Sequence, residues 1–147
     1  MQEQLISFET AKLAKEKRFD CKCLAGYKSN GELRECYIDD LEDIFNSIYP
    51  ISNSDIKDAV NKEWIFYDGC ICPTQSLLQK WLREKHNIFI TIEIDATSYP
   101  KFTYSILKYT ELLWETGLEL GVNNLSLYRT YEEALEEGLQ EALKLIK

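Results

Sequence analysis

The residues of this chain with the widest chemical repertoire are its five cysteines. They form two close pairs, Cys21 with Cys23 and Cys70 with Cys72, and one single residue, Cys36. Side chains two residues apart on an extended segment project to the same side, so each pair can present two thiols together. With Cys36, the pairs could supply four thiolates to a zinc ion. The sequence therefore offers one metal-binding hypothesis, built on these five side chains.

The spacing of the cysteines weakens that hypothesis. Structural zinc sites usually place two to four residues between paired ligands, whereas each pair here has a single intervening residue. Cysteine also behaves as a small apolar residue in strands, and a chain of this length needs no metal to fold. The sequence therefore predicts neither a resident metal nor a cofactor, and scattered thiols are the favoured interpretation.

Nucleophilic catalysis is limited by the single histidine of the chain, His86. A Cys–His pair would have to use it, yet its place at the end of a predicted helix, just before Asn87, is typical of residues that meet the last helical carbonyls. The sequence has no phosphate-binding loop, dinucleotide-binding glycine pattern, HExxH helix or GxSxG turn. No catalytic residue is predicted, and the chain is expected not to be an enzyme.

Charge and composition restrict the partners. The 147 residues carry a formal charge of −8, which repels nucleic-acid backbones and anionic lipid surfaces. The densest basic cluster is Lys12, Lys15, Lys17 and Arg18, interleaved with Glu16, and it is predicted to be a solvated helix face and C-terminal turn. The start of the chain lacks the pattern of a signal peptide, and no apolar stretch is long enough to span a bilayer. We therefore expect a cytoplasmic protein that binds neither nucleic acid nor membranes, with the cysteines as thiols.

The elements that position these residues follow from hydrophobic periodicity. Helices are predicted after Ser7, after Asp39 or Asp40 until Pro50, from Ser54 through Val60, after Thr74 until Asn87, and from Thr130 to Ile146. Strands are predicted at Cys21–Tyr27 and Leu33–Ile38, joined by a turn in which Asn30 and Gly31 take positive backbone angles, and at Glu63–Tyr67, Ile88–Asp95 and Phe102–Leu107. Residues 109–121 are ambiguous between a third strand and an irregular helix.

The closing segment is the best-marked element. Thr130 and Glu133 have the spacing of a capping box. An apolar face follows, made of Tyr131, Ala134, Leu135, Gly138, Leu139, Ala142, Leu143 and Ile146. This face is expected to cover the sheet formed by Ile88–Ile94 and Phe102–Ile106. The sequence therefore predicts one α+β domain over residues 1–147, with a mainly antiparallel sheet, helices on one face and this helix as its closure.

Aromatic residues suggest a surface for association. Trp64, Phe66, Tyr67, Tyr99, Phe102, Tyr104, Tyr109 and Trp114 exceed the needs of one small core, and strand alternation would place some of them outside. An exposed aromatic strip is typical of a partner surface or a homodimer face, although core packing is the simpler interpretation of any one residue.

Three stretches carry a resemblance to known proteins. They are ISFETAKLAKEKRF at Ile6–Phe19, TQSLLQKWLREKHNI at Thr74–Ile88 and TYEEALEEGLQEALKLI at Thr130–Ile146. Together they cover about half of the chain and resemble a group of small uncharacterised proteins of gut Bacteroidales and their phages or mobile elements. The resemblance implies a small domain and phage or mobile-element biology, and no activity or functional residue can be carried over from that group.

The sequence predicts a non-enzymatic protein-interaction module that binds a host or phage protein. A homodimer is one form that the association could take. Its acidic surface favours a basic partner or imitates an acidic one. The alternative is a small enzyme or metal-binding protein that uses the cysteines, which would require them to converge in one concave site.

Overall fold

The protein is described by a computed structural model over residues 3–35, 37–38, 47–48, 50–54, 69–95, 101–112, 115–123 and 126–147. Its helices and antiparallel strands confirm the predicted α+β class, with the C-terminal helix packed on a sheet. The chain divides into two compact units. The N-terminal unit is Leu5–Thr74, and the C-terminal unit is Gln75–Lys147 with Met1–Gln4. A single domain over the whole chain stays a prediction.

The N-terminal unit begins with helix α1, Phe8–Glu16. The Ser7 hydroxyl accepts a hydrogen bond from the Thr10 N–H at 3.3 Å, which confirms the predicted cap. Thr10, Ala11 and Ala14 are buried on one face of the helix. The chain turns away at Arg18, which has a φ of 64°. The buried face is therefore made of small side chains.

Three short strands form the antiparallel sheet of this unit. They are β1, Ala25–Tyr27, β2, Leu33–Glu35, and β5, Cys70–Ile71, in the order β2-β1-β5. The hairpin of β1 and β2 was predicted, but β1 is shorter than expected, because Cys23 forms a separate bridge with Ile51. Only Gly31 has a positive φ in the turn, at 82°, so the prediction for Asn30 was wrong. The Asn30 Oδ1 instead accepts from the Glu32 N–H at 3.0 Å.

A second pair of strands corrects the predicted helix that ended at Pro50. Strands β3, Tyr37–Ile38, and β4, Ser47–Ile48, pair in antiparallel fashion, so Ile48 belongs to a strand. At Ile48 the helical spacing gave way to strand pairing. Residues 39–46 and the predicted strand Glu63–Tyr67 lie outside the described residues. Residues 53 and 54 are helical, and the rest of the helix predicted there lies outside as well.

The C-terminal unit contains the elements with the clearest periodicity. Helix α2 is Gln75–His86 and ends, as predicted, at Asn87, whose φ is 54°. Strands β6, Ile88–Asp95, and β7, Lys101–Leu112, pair in antiparallel register with Ile90 opposite Ile106. The even-numbered side chains Ile88 and Ile90 are buried, whereas Phe89, Thr91 and Glu93 are exposed. The predicted strand is confirmed, with its buried face at Ile88 and Ile90, whereas Ile92 is half-buried and Ile94 is exposed.

Residues 109–112 of the ambiguous segment extend β7, and residues 115–121 belong to strand β8, Glu115–Asn123, which pairs with β7 in the sheet order β6-β7-β8. Its register shifts between Lys108, which lies opposite Leu120, and Tyr109, which lies opposite Leu118. Glu119 is therefore an extra residue without a partner, as in a β-bulge. Of the two alternatives, a third strand is correct.

Helix α3, Tyr131–Lys144, closes the sheet. The Thr130 hydroxyl accepts from the Glu133 N–H at 3.1 Å, while the Glu133 carboxylate accepts from the N–H of Arg129 at 3.0 Å, one residue before the expected position. A Cβ at Gly138 would lie 3.0 Å from Cγ2 of Ile90, so the helix rests closely on β6. The predicted buried face is confirmed except at its first residue, Tyr131, which is exposed.

Candidate functional site

The cysteines are distributed over several elements of the N-terminal unit. Cys21 is half-buried, and Cys23, Cys70 and Cys72 are buried, all four as free thiols. The thiol of Cys72 donates to the Ile6 carbonyl at 3.4 Å. Among the described residues no three His, Cys, Asp or Glu side chains are placed to hold a metal ion, and Cys36 lies outside those residues. The described thiols therefore give the zinc hypothesis no support.

The surroundings of Cys70 perturb its thiol. Burial raises its pKa from 9.0 to about 11, against the opposing effect of the nearby Lys15 and Lys12 ammonium groups. A thiol with such a pKa is thiolate in only about one molecule in ten thousand at pH 7. Cys70 is therefore a poor nucleophile, although its surroundings contain two cations.

His86 lies at the end of α2, as predicted. Its ring packs edge-on against Trp81, with ring centroids 4.5 Å apart. Burial and, to a smaller extent, the charge of Lys108 lower its pKa, so it is neutral at pH 7. The role of this histidine is to pack, rather than to bring a positive charge to the helix end.

The basic cluster of α1 differs in part from the prediction of a solvated face. Phe8, Lys12 and Lys15 share one side of the helix and line a cavity of about 270 Å³ together with Ser29, Gly69 and Cys70. The Lys15 Nζ donates to the Gly69 carbonyl at 2.5 Å. The Lys12 Nζ lies 3.1 Å from a Glu9 carboxylate oxygen and 5.1 Å from the centre of the Phe8 ring. The sequence shows the helical spacing of these three residues but not the strand and turn that complete the cavity.

The outer edge of β6 is the second candidate site. The Tyr109 N–H donates to the Asn87 carbonyl at 3.1 Å, which places the odd-numbered residues in hydrogen-bonding register with β7. The even-numbered residues of β6 then direct their backbone groups outward, and the Gln79 side chain donates to the Ile90 carbonyl at 3.0 Å. Among the described strands none pairs with this outer edge. The outward backbone groups of Ile92 and Ile94 therefore have no pairing strand among the residues that the structure describes.

Apolar side chains surround the open part of this edge. Ile94 is 64% exposed and lies opposite Phe102 on β7. The Phe102 ring contacts that of Tyr131 edge-on, with centroids 6.4 Å apart, and Tyr131 is 44% exposed. We call the backbone of Ile92–Asp95 with these three side chains the β6 edge site. Its charged members, Glu93 and Asp95, project to the other face of the sheet.

The predicted aromatic strip is only partly described. Tyr104 is buried and stacks on Tyr128, with centroids 6.1 Å apart. Tyr109 is half-buried and contacts Phe89, which is 38% exposed, on the face of the sheet opposite α3. Five further members lie outside the described residues: Trp64, Phe66, Tyr67, Tyr99 and Trp114. The described aromatics therefore divide between the core, the β6 edge site and the opposite sheet face.

Comparison with known proteins adds no family. In the part of the chain that the structure describes, no helix has the length and apolar character required to cross a membrane. No protein-family model matches the chain, and comparisons with curated proteins and with solved structures found no match.

Proposed function

We propose that this protein is a non-enzymatic interaction module that binds an extended, basic segment of another protein by adding it to the outer edge of β6. Two observations on one segment carry the proposal. No described strand pairs with the outward backbone groups of Ile92 and Ile94, and the Ile94 side chain is 64% exposed. Strand addition uses main-chain hydrogen bonds for affinity and alternating side chains for specificity.

The chemistry of the site defines the segment that would fit. An added strand places alternate side chains next to Ile92 and Ile94 on one face and next to Glu93 and Asp95 on the other. Apolar residues suit the first position and lysine or arginine the second. A second copy of this chain would bring further carboxylates to an edge of a protein with a charge of −8, so a basic segment of a different protein is the better match.

The biological setting belongs to the same proposal. The resemblance of three stretches to proteins of gut Bacteroidales and their phages or mobile elements supports a mobile-element protein that binds a host protein in the cytoplasm. The cysteine alternative has no comparable support, because the described thiols do not converge and the Cys70 thiol has a raised pKa.

The proposal is tested with a capped ten-residue peptide of alternating valine and lysine, and with a valine–glutamate peptide as the charge-reversed control. NMR titration of the full chain should show saturable shifts at residues 91–95 with the lysine peptide alone. The variant Ile94→Pro should abolish them, since it removes an outward N–H while the pairing with β7 runs through odd-numbered residues. Thr91→Ala, on the other face, is the matched control and should still bind.

Two results would contradict this function. Equal binding of both peptides would remove the charge argument, and unperturbed resonances at residues 91–95 would remove the edge itself. A dimer in sedimentation that dissociates in the Ile94→Pro variant would show that a second copy occupies the edge, which would replace the proposed partner.

A further inference from the structure

A second site lies in the N-terminal unit and does not depend on the edge of β6. It is the cavity of about 270 Å³ between α1, the turn after β1 and the start of β5. This volume is at the lower end of small-molecule pockets and suits a ligand of about ten non-hydrogen atoms. The lining combines one aromatic ring, two ammonium groups, a hydroxyl and a thiol.

The two ammonium groups are placed to share one anion. Lys12 and Lys15 are three residues apart on the same helix, and both act electrostatically on the buried Cys70 sulfur at the cavity wall. Lys15 uses one of its three N–H donors on the Gly69 carbonyl, and Lys12 pairs with Glu9. Donors remain on each of them, and the Ser29 hydroxyl is a further one.

The charge balance selects the kind of anion. Two lysines and Glu9 together carry a net charge of about +1, which a monoanion neutralises and a phosphate dianion exceeds. The Phe8 ring and the Cys70 wall favour an apolar body beside the charged group.

We propose that this cavity binds a small organic carboxylate, whose carboxylate bridges Lys12 and Lys15 and whose flat apolar body lies against Phe8. The cavity selects a ligand that carries one negative charge and a flat apolar body. For a molecule of this size the dissociation constant is on the order of 0.1–1 mM.

Benzoate tests the charge requirement, because benzamide has nearly the same shape without the charge. Calorimetric or NMR titration of the full chain should give saturable binding of benzoate, at least about tenfold weaker binding of benzamide, and weaker binding of inorganic phosphate than of benzoate. Lys12→Gln and Lys15→Gln should each weaken benzoate about fivefold or more. Lys22→Gln removes the same charge at an exposed position outside the cavity and should change binding less than twofold.

Several results would overturn this site. If benzamide bound as tightly as benzoate, a carboxylate site would be excluded. If inorganic phosphate bound more tightly than benzoate, a preference for a monoanion would be excluded. Unchanged affinity in Lys12→Gln, which leaves the Lys15–Gly69 hydrogen bond in place, would exclude the bridging geometry. An absence of saturation at 10 mM, roughly tenfold above the expected dissociation constant, would remove the site as a whole.

Discussion

The two units of this protein fill their interiors in different ways. The C-terminal unit buries large aliphatic side chains, such as Leu78, Leu82 and Leu139. Among the residues of the N-terminal unit that the structure describes, many buried side chains are small or contain sulfur, namely Thr10, Ala11, Ala14, Cys23, Cys70 and Cys72, and the large buried ones include Ile6, Phe19, Ile51 and Ile71. Small side chains allow backbones to approach closely, so main-chain fit carries more of the packing in the N-terminal unit.

The contrast explains where each unit leaves room for a ligand. In the N-terminal unit, Phe8, Lys12 and Lys15 of α1 line a cavity whose wall is partly apolar and partly polar. In the C-terminal unit the helices cover one face of a three-stranded sheet, and no described strand pairs with the edge near Ile94.

The largest expected effect tests the main-chain fit at Gly69. A Cβ at this position would lie 1.9 Å from the Tyr27 carbonyl oxygen, so Gly69→Ala must separate β1 from β5. We expect a loss of at least about 3 kcal/mol in the free energy of unfolding, measured by urea denaturation, with faster amide exchange in β1 and β5.

Gly121→Ala is the matched control in the C-terminal unit. Its Cβ would meet only Cδ2 of Leu107, at the ordinary distance of 3.6 Å. The free energy of unfolding should change by less than about 0.5 kcal/mol. Similar losses in both variants would show that the two units do not differ in their tolerance of an added methyl group.

The second comparison uses one buried amide from each unit. Asn53 donates to the Phe19 carbonyl at 2.7 Å and accepts from the buried Ile71 N–H at 3.2 Å. Gln75 donates to the Glu132 carbonyl at 3.0 Å and to the Glu136 carboxylate at 2.9 Å. Asn53→Ala should lower the free energy of unfolding by about 2–4 kcal/mol, because the Ile71 N–H then lies in a dry interior without an acceptor.

Gln75→Ala should lower the free energy of unfolding by only about 1–2 kcal/mol. The Glu132 carbonyl lies within α3 and still accepts in the helix, and the half-buried Glu136 carboxylate can turn to water. Thermal and urea denaturation of the two variants measure the difference. If Gln75→Ala and Asn53→Ala lowered the free energy of unfolding equally, the buried side-chain hydrogen bonds of Asn53 would not stabilise the protein more than those of Gln75.

The smallest effect concerns pH and the C-terminal unit. Because the folded protein lowers the pKa of His86 below 6.5, the unfolded chain takes up a proton more readily as the pH falls. The contribution of His86 to stability is therefore complete above pH 6.5 and decreases below it. The urea midpoint of the wild type, relative to that of His86→Gln, should be lower at pH 5.5 than at pH 7.5. A constant difference would show that His86 titrates normally.

The sequence predicted the C-terminal unit better than the N-terminal one. The alternation at Ile88 and Ile90 and the helical spacing in α2 and α3 come from side chains that face one buried surface, so the pattern records the packing there, whereas Ile94 continues the alternation but is exposed. The segment of residues 109–121 was ambiguous because neither period accounts for all of its apolar residues, which include the consecutive Leu112, Leu113 and Trp114, and because Gly117 and Gly121 interrupt the pattern.

The candidate sites were harder to predict than the elements. The cavity depends on Gly69 and Ser29 meeting α1, and contacts between distant parts of the chain leave no local pattern. The edge depends on which strand ends the sheet, which periodicity does not specify. Ile48 illustrates a third cause: its helical spacing was overridden by pairing with Tyr37.

The hydrogen bond from Gln79 to the Ile90 carbonyl also bears on how the protein behaves in concentrated solution. An uncovered strand edge is a template on which further chains can stack into aggregates. The Gln79 amide blocks the middle of that template, and the carboxylates of Glu93 and Asp95 repel a second copy near its end. We therefore expect a variant that lacks the Gln79, Glu93 and Asp95 side chains to aggregate at a lower protein concentration than the wild type.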